Sequence, residues 1–184
     1  MKKIAVFLAE GLEEIEGLTV VDVLRRAGIE VITVSVSEKK EVTGSHNITI
    51  LAEALFTEMD YSGLDGVVLP GGMPGTTNLM HHEGVRQVIR EFASQKKLVS
   101  AICAAPSVLG QAGVLKGKRA TCYPGFEEQL TGAECCKEQV VRDGNMITSR
   151  GMGTAIPFAL ALTAYFLGQE KADEIKDSIL YEGK

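Results

Sequence analysis

The chain has 184 residues, 45% of them hydrophobic and 23% charged, with 20 glycines and no tryptophan. That length supplies one sizeable core and falls short of two, so residues 1–184 are read as a single domain. A formal net charge of −5, with Lys/Arg runs no longer than pairs, argues against a nucleic-acid partner, which needs a concentrated basic face. A small-molecule or protein substrate fits better.

The opening MKKIAVFLAEG starts like a secretory signal, but Glu10, Glu13 and Glu14 cut the apolar run at Ala9, which suits a strand and is too short for a signal core. No stretch approaches the ~18 consecutive apolar residues of a membrane span. Even the segment 154–167 is punctuated by Thr154, Pro157 and Thr163, and no membrane partner is expected. The cysteines Cys103, Cys122, Cys135 and Cys136 show no CxxC spacing. A chain of this size can rely on its core without disulfides, so the reading is of reduced thiols in a cytoplasm.

In chain order, residues 3–9 (KIAVFLA) form a buried strand. Residues 13–27 place Ile15, Leu18, Val21 and Leu24 on one helical face, with Gly28 as the stop. A second buried strand follows at 30–36, giving a βαβ start, and 41–51 reads as an edge hairpin. DGVVLPGG (65–72) is a third core strand ending in a tight loop, 82–96 a helix, and 98–102 a fourth strand. The remainder reads as a helix at 104–112, a short strand at 118–122, a hairpin at 139–149 around Asp143-Gly144, and closing helices at 153–167 and 170–180. The sum is a three-layer α/β sandwich with ligands expected at the carboxyl ends of its strands.

Four features meet at those ends. Cys103 leaves a strand and opens a helix, the geometry of a nucleophile elbow, with alanines where the glycines of G-x-S-x-G would stand. A helix amino terminus aimed at the sulfur would lower its pKa; the alternative is a buried thiol acting as a small hydrophobe. Glu16 borders the packing face of the first helix. If buried it would stay protonated and pair with a thiolate; if not, it joins Glu13 and Glu14 as a solvated acid. PGGMPG (70–75) offers backbone amides for an oxyanion, although a glycine turn after a strand is common. Arg150, in TSRGMGTA (148–155), suits either an anion or a structural ion pair. The histidines His46, His81 and His82 lack the placement a base would need, and no metal-ligand spacing is present, so neither metal nor cofactor is expected.

Together AEGLEEIE (9–16), VLPGGMPGTTNL (68–79), AICAAPSVL (101–109) and ITSRGMGTA (147–155) resemble the ThiJ/PfpI superfamily, in particular its YajL-like bacterial branch close to the human Parkinson-disease-associated deglycase. The resemblance implies a flavodoxin-like sandwich, a homodimer, and an oxidation-sensitive nucleophilic cysteine. Carried over by position, it assigns the nucleophile to Cys103, the protonated partner to Glu16, the oxyanion amides to Gly72 and Ala104, and a turn-stabilising acid to Glu13. Arg26 and Arg150 match arginines at the pocket and dimer boundary. Two positions depart from the human-like pattern: Tyr123 replaces a histidine near the cysteine, and His46 replaces an arginine facing the partner subunit. A tyrosine, with its pKa of ~10, is a poor general base, which leaves proton transfer to Glu16 or water.

The function so implied is cofactor-independent chemistry on reactive dicarbonyls or glycated protein and nucleotide adducts, of the glyoxalase III or deglycase kind. The alternative is a redox-sensing stress protein or holdase acting through oxidation of Cys103.

Overall fold

The computed structural model describes residues 1–183. The first half of the chain gives β1 (Lys3–Leu8), α1 (Glu14–Arg26), β2 (Glu30–Ser35), β3 (Glu41–Thr43), β4 (Thr49–Leu51), β5 (Ala54–Leu55), β6 (Gly66–Leu69), α2 (Gly75–His81) and α3 (Glu83–Ser94). The second half gives β7 (Leu98–Ile102), α4 (Pro106–Gln111), β8 (Arg119–Ala120), β9 (Glu134–Cys135), β10 (Val140–Asp143), β11 (Met146–Ser149), α5 (Ala155–Leu167) and α6 (Gln169–Ser178).

The central sheet runs β10-β11-β7-β6-β1-β2-β5 and is parallel except for β10, which pairs antiparallel with β11. Its inner order, β2-β1-β6-β7-β11, is flavodoxin-like, with the change of winding direction between β1 and β6. The strands are continuous apolar runs because both faces are covered. In β1, Ala5 and Phe7 join Val85, Ile89, Phe92 and Leu109 on one side, while Ile4, Val6 and Leu8 join Val20, Leu24, Phe158 and Leu162 on the other. Thus α1, α5 and α6 form one outer layer and α2, α3 and α4 the other. Each fully buried Leu or Phe contributes about 2 kcal/mol to this arrangement.

The expected elements are present, with three additions and one rotation, except that the 41–51 hairpin forms its own two-stranded sheet instead of an edge of the central one. The helix expected at 82–96 forms as α3, capped by His82, whose Nδ1 accepts from Val85 N at 3.1 Å. A further helix, α2, precedes it directly from the glycine loop. The short strands β5 and β9 add to the central-sheet edge and pair with β8, respectively. The face of α1 is turned from the expected one: Glu14, Glu16, Gly17, Val20, Val21, Val23 and Leu24 are buried, whereas Ile15 and Leu18 are 49% and 40% exposed. The cause is Gly17, which lets the helix approach Leu12 and Pro70 closely; an added Cβ there would stand 3.1 Å from Leu12 Cδ1. Among the described residues no helix is long and apolar enough to cross a membrane.

Candidate active site

Three strand ends meet at the carboxyl edge beside the winding reversal. β7 delivers Cys103, β6 delivers Pro70-Gly71-Gly72, and the segment after β1 leads into α1 with Glu13 and Glu16. Cys103 occupies the left-handed region, φ +66°, where a non-glycine residue is strained. Hydrogen bonds on both sides hold it there: Cys103 N donates to Ser149 O at 3.0 Å, and Tyr123 N donates to Cys103 O at 2.7 Å. The half-buried sulfur receives the backbone amides of Gly72 and Ala104.

Glu16, 1% exposed, lies against that sulfur, within hydrogen-bonding and charge-coupling reach of it. The glycine loop and the start of α1 are laced reciprocally. Glu13 N donates to Gly71 O at 2.9 Å, and Gly71 N donates to Glu16 Oε2 at 2.8 Å. Glu13 caps the helix through Oε2, which accepts from Glu16 N at 2.8 Å. Glu16 Oε1 has no hydrogen-bond partner among the described residues, a costly state for an ionised carboxylate and a tolerable one for a neutral acid.

Burial pushes the Glu16 carboxyl up to about 7, opposed by the Gly71 amide and the thiol. Burial and then the Glu16 charge push the Cys103 thiol up to about 12, against the pull of the Gly72 and Ala104 amides. This corrects the expectation of a thiolate produced by a helix amino terminus. The helix α4 has six residues and begins beyond the elbow, at Pro106, so what bears on the sulfur is two amides and a carboxyl. The pair holds one proton between them from about pH 7 upward, and the thiolate arises by moving that proton to Glu16.

Glu14 also differs from expectation: it is 3% exposed and not solvated. Its carboxylate accepts from His46 N (2.8 Å), His46 Nδ1 (3.0 Å) and Ile48 N (3.4 Å), tying the hairpin loop to α1. No sequence signal marked it, since its partners lie more than thirty residues away. Glu13, Glu14 and His46 also form a group whose ligand atoms lie within 4.8 Å of one another, but the Glu13 cap and the Glu14 contacts already occupy it.

Tyr123 stands at the rim, half-exposed, and with Pro124, Arg150, Met152 and Thr154 lines a cleft of about 520 Å³. Arg150 Nη1 donates to Lys137 O at 3.2 Å, so it serves the loop as well as the cleft. Arg26 is not brought to this place. Ten residues beyond Glu16, it lies about 15 Å further along α1, is paired with Asp22 at 2.7 Å, and lines a separate cleft with Leu18, Ile156 and Ile179.

The fold and site define an α/β sandwich protein with a cysteine on a strained strand-to-helix elbow and a buried acid beside it. The DJ-1/PfpI family model matches residues 2–165, and the chain belongs to that family, as its motifs implied. Protein dj-1beta of Drosophila melanogaster is 39% identical over 181 residues, 97% of each chain. A Pyrococcus abyssi protein named a deglycase is 31% identical over 153 residues, covering 82% of this chain and 91% of its own. Protein DJ-1 homolog A of Arabidopsis thaliana is 38% identical over 182 residues, and the chain spans 46% of its length. The oxidized DJ-1 of Toxoplasma gondii superimposes with a TM-score of 0.96 at 33% identity, each chain covered in full.

Proposed function

We propose that the protein is a cofactor-independent cysteine enzyme acting on reactive dicarbonyls or early glycation adducts of proteins or nucleotides. The observation that carries this reading is the strained, half-buried Cys103 set against a carboxyl that burial tunes to about 7, where a general acid–base works best at neutral pH. The similarity to a protein named a deglycase supports it.

Ionised Glu16 takes the thiol proton as the sulfur adds to the aldehyde carbon and passes it to the former carbonyl oxygen, giving a hemithioacetal and restoring the carboxylate. The developing oxyanion lies beside the Gly72 and Ala104 amides, each of which contributes about 3 kcal/mol in such a site. Glu16 then carries the proton from C1 to C2, which turns the hemithioacetal into a 2-hydroxyacyl thioester. Water cleaves the C–S bond, the hydroxy acid leaves, and the thiol regains its proton. The sum is dicarbonyl plus water to hydroxy acid, with no electrons exchanged with another partner. Tyr123 and Arg150 shape the mouth through which the substrate enters.

D-lactate formed from methylglyoxal by wild type, Cys103→Ala and Glu16→Gln tests the scheme. Turnover should vanish in Cys103→Ala and fall by roughly 10²–10⁴-fold in Glu16→Gln; undiminished turnover in Cys103→Ala removes the proposal.

A second reading, a redox-responsive stress protein or holdase, is favoured by the buried Glu16 carboxyl, which lies against the half-buried sulfur and keeps one oxygen free of hydrogen bonds, a donor to a cysteine sulfinate once protonated. Stable addition of two oxygens at Cys103 under mild peroxide, without dicarbonyl turnover, selects this reading. Either chemistry needs a reduced thiol, which suits the cytoplasm. We also propose that two copies pair through the exposed apolar face of α1.

A further inference from the structure

Two cysteines outside the Cys103 site lie at a short parallel ladder, Cys135 within it and Cys122 just past its end. β8 pairs with β9 so that Ala120 stands opposite Cys135, and Cys136 N donates to Ala120 O at 2.7 Å. Alternation along the extended chain puts Cys122 on the same side as Ala120, the side it shares with Cys135. The Cys122 side chain is buried and Cys135 is exposed, with the two thiols close enough to couple. Cys136 points elsewhere, toward Glu134 O, with its Sγ at 3.5 Å.

We propose that Cys122 and Cys135 form a reversible disulfide when the protein meets a hydroperoxide, an oxidation site separate from Cys103. The accessible Cys135 sulfur attacks the peroxide, the O–O bond breaks, water or an alcohol leaves, and Cys135 becomes a sulfenic acid. The Cys122 sulfur then displaces its hydroxyl, which departs as water with the Cys122 proton. The S–S bond forms as the S–O bond breaks, and two electrons have passed from the two thiols to the peroxide.

The order of events follows from access. Burial, together with the neighbouring Cys135 and Glu127, pushes the Cys122 thiol up to about 12, with Arg150 opposing, so this buried thiol resolves while the exposed one reacts first. The bridge would close residues 122–135 into a loop whose first residue adjoins Tyr123. Tyr123 in turn holds the Cys103 carbonyl and rests against Gly151, whose added Cβ would meet its ring at 3.2 Å. Oxidation here therefore stiffens the strap beside the elbow without consuming Cys103.

The test treats the full chain with hydrogen peroxide, blocks free thiols with iodoacetamide, and digests with trypsin and a Glu-specific protease together. That digestion separates ATCYPGFE (120–127) from CCK (135–137), which trypsin alone leaves in one peptide. The expected product is these two peptides joined and two hydrogens lighter, released by dithiothreitol. It should persist in Cys103→Ala and Cys136→Ser and disappear in Cys135→Ser, an exposed change that leaves the core intact. A bridge that survives Cys135→Ser, one that is lost in Cys136→Ser, or oxidation confined to Cys103 overturns the proposal.

Discussion

Gly71 carries no side chain, and the Cys103–Glu16 pair depends on that. A Cβ at this position would lie 2.6 Å from Cys103 Cβ, 2.7 Å from Glu16 Oε2 and 2.9 Å from Ile102 O, so Gly71→Ala must displace both Cys103 and the carboxyl that the Gly71 amide binds. The expected cost is about 1–3 kcal/mol in urea denaturation, accompanied by altered iodoacetamide labelling of Cys103; unchanged stability and labelling would contradict the geometry. Glu16 itself makes stability depend on pH. In the native state its carboxyl holds its proton up to about 7, against 4.5 for an ordinary glutamate, so the native state binds more protons between those values and stability falls as pH rises through that window. Glu16→Gln removes that loss, on the order of 3 kcal/mol above pH 7. Its thermal midpoint should therefore match wild type near the acid end of the window and exceed it increasingly toward neutrality. Cys103 labelling in wild type should rise through about pH 7 and then level, because above that point the pair keeps a constant share of its thiolate form; the Gln variant should lack that step.

At the scale of elements, the first turn of α1 joins the hairpin loop to the site. Burial pushes Glu14 up, but its hydrogen bonds to His46 and to the amides of His46 and Ile48 outweigh that and hold the carboxyl below its ordinary range. Glu14→Ala leaves those donors without their acceptor, which costs about 1–3 kcal/mol and should raise hydrogen exchange at His46 and Ile48; unchanged exchange would show the loop to be held by other contacts. The partners of this anchor lie too far along the chain for local pattern to pair them. The strands were legible because parallel strands covered on both faces are unbroken apolar runs, and the elbow was legible because LVSAI runs straight into a helix through Cys103. The helix α2 was missed because GTTNLMH has no apolar stripe. The face of α1 was misread because apolar spacing favoured Ile15 and Leu18, while the buried acids Glu14 and Glu16 are satisfied only by partners elsewhere in the chain. Glu16 and Gly71 stand 55 residues apart, so local pattern nominates each residue and only the topology, with β6 beside β1, joins them.

For the whole molecule, the turned face of α1, which leaves Ile15 and Leu18 outside while Val21 and Leu24 stay buried, has its own consequence. Ile15 and Leu18 project from the outer layer, Leu18 lines a cleft with Ile156 and Ile179, and Ile48, 55% exposed, sits on the loop that Glu14 binds. Apolar side chains gathered on one surface in this way mark an interaction face. The second copy proposed for this surface would brace the helix turn that positions the acid, because α1 presents the face immediately beside Glu16. Light scattering should then report twice the 19.7 kDa chain mass. Leu18→Glu, which places a charge on this face without entering the core, should give a monomer with unchanged far-UV circular dichroism. In that monomer the first turn of α1 loses its brace, so Cys103 labelling should lose part of its step near pH 7. A wild-type chain that stays monomeric at tens of micromolar would exclude the pairing, and a Leu18→Glu dimer would move it to another face.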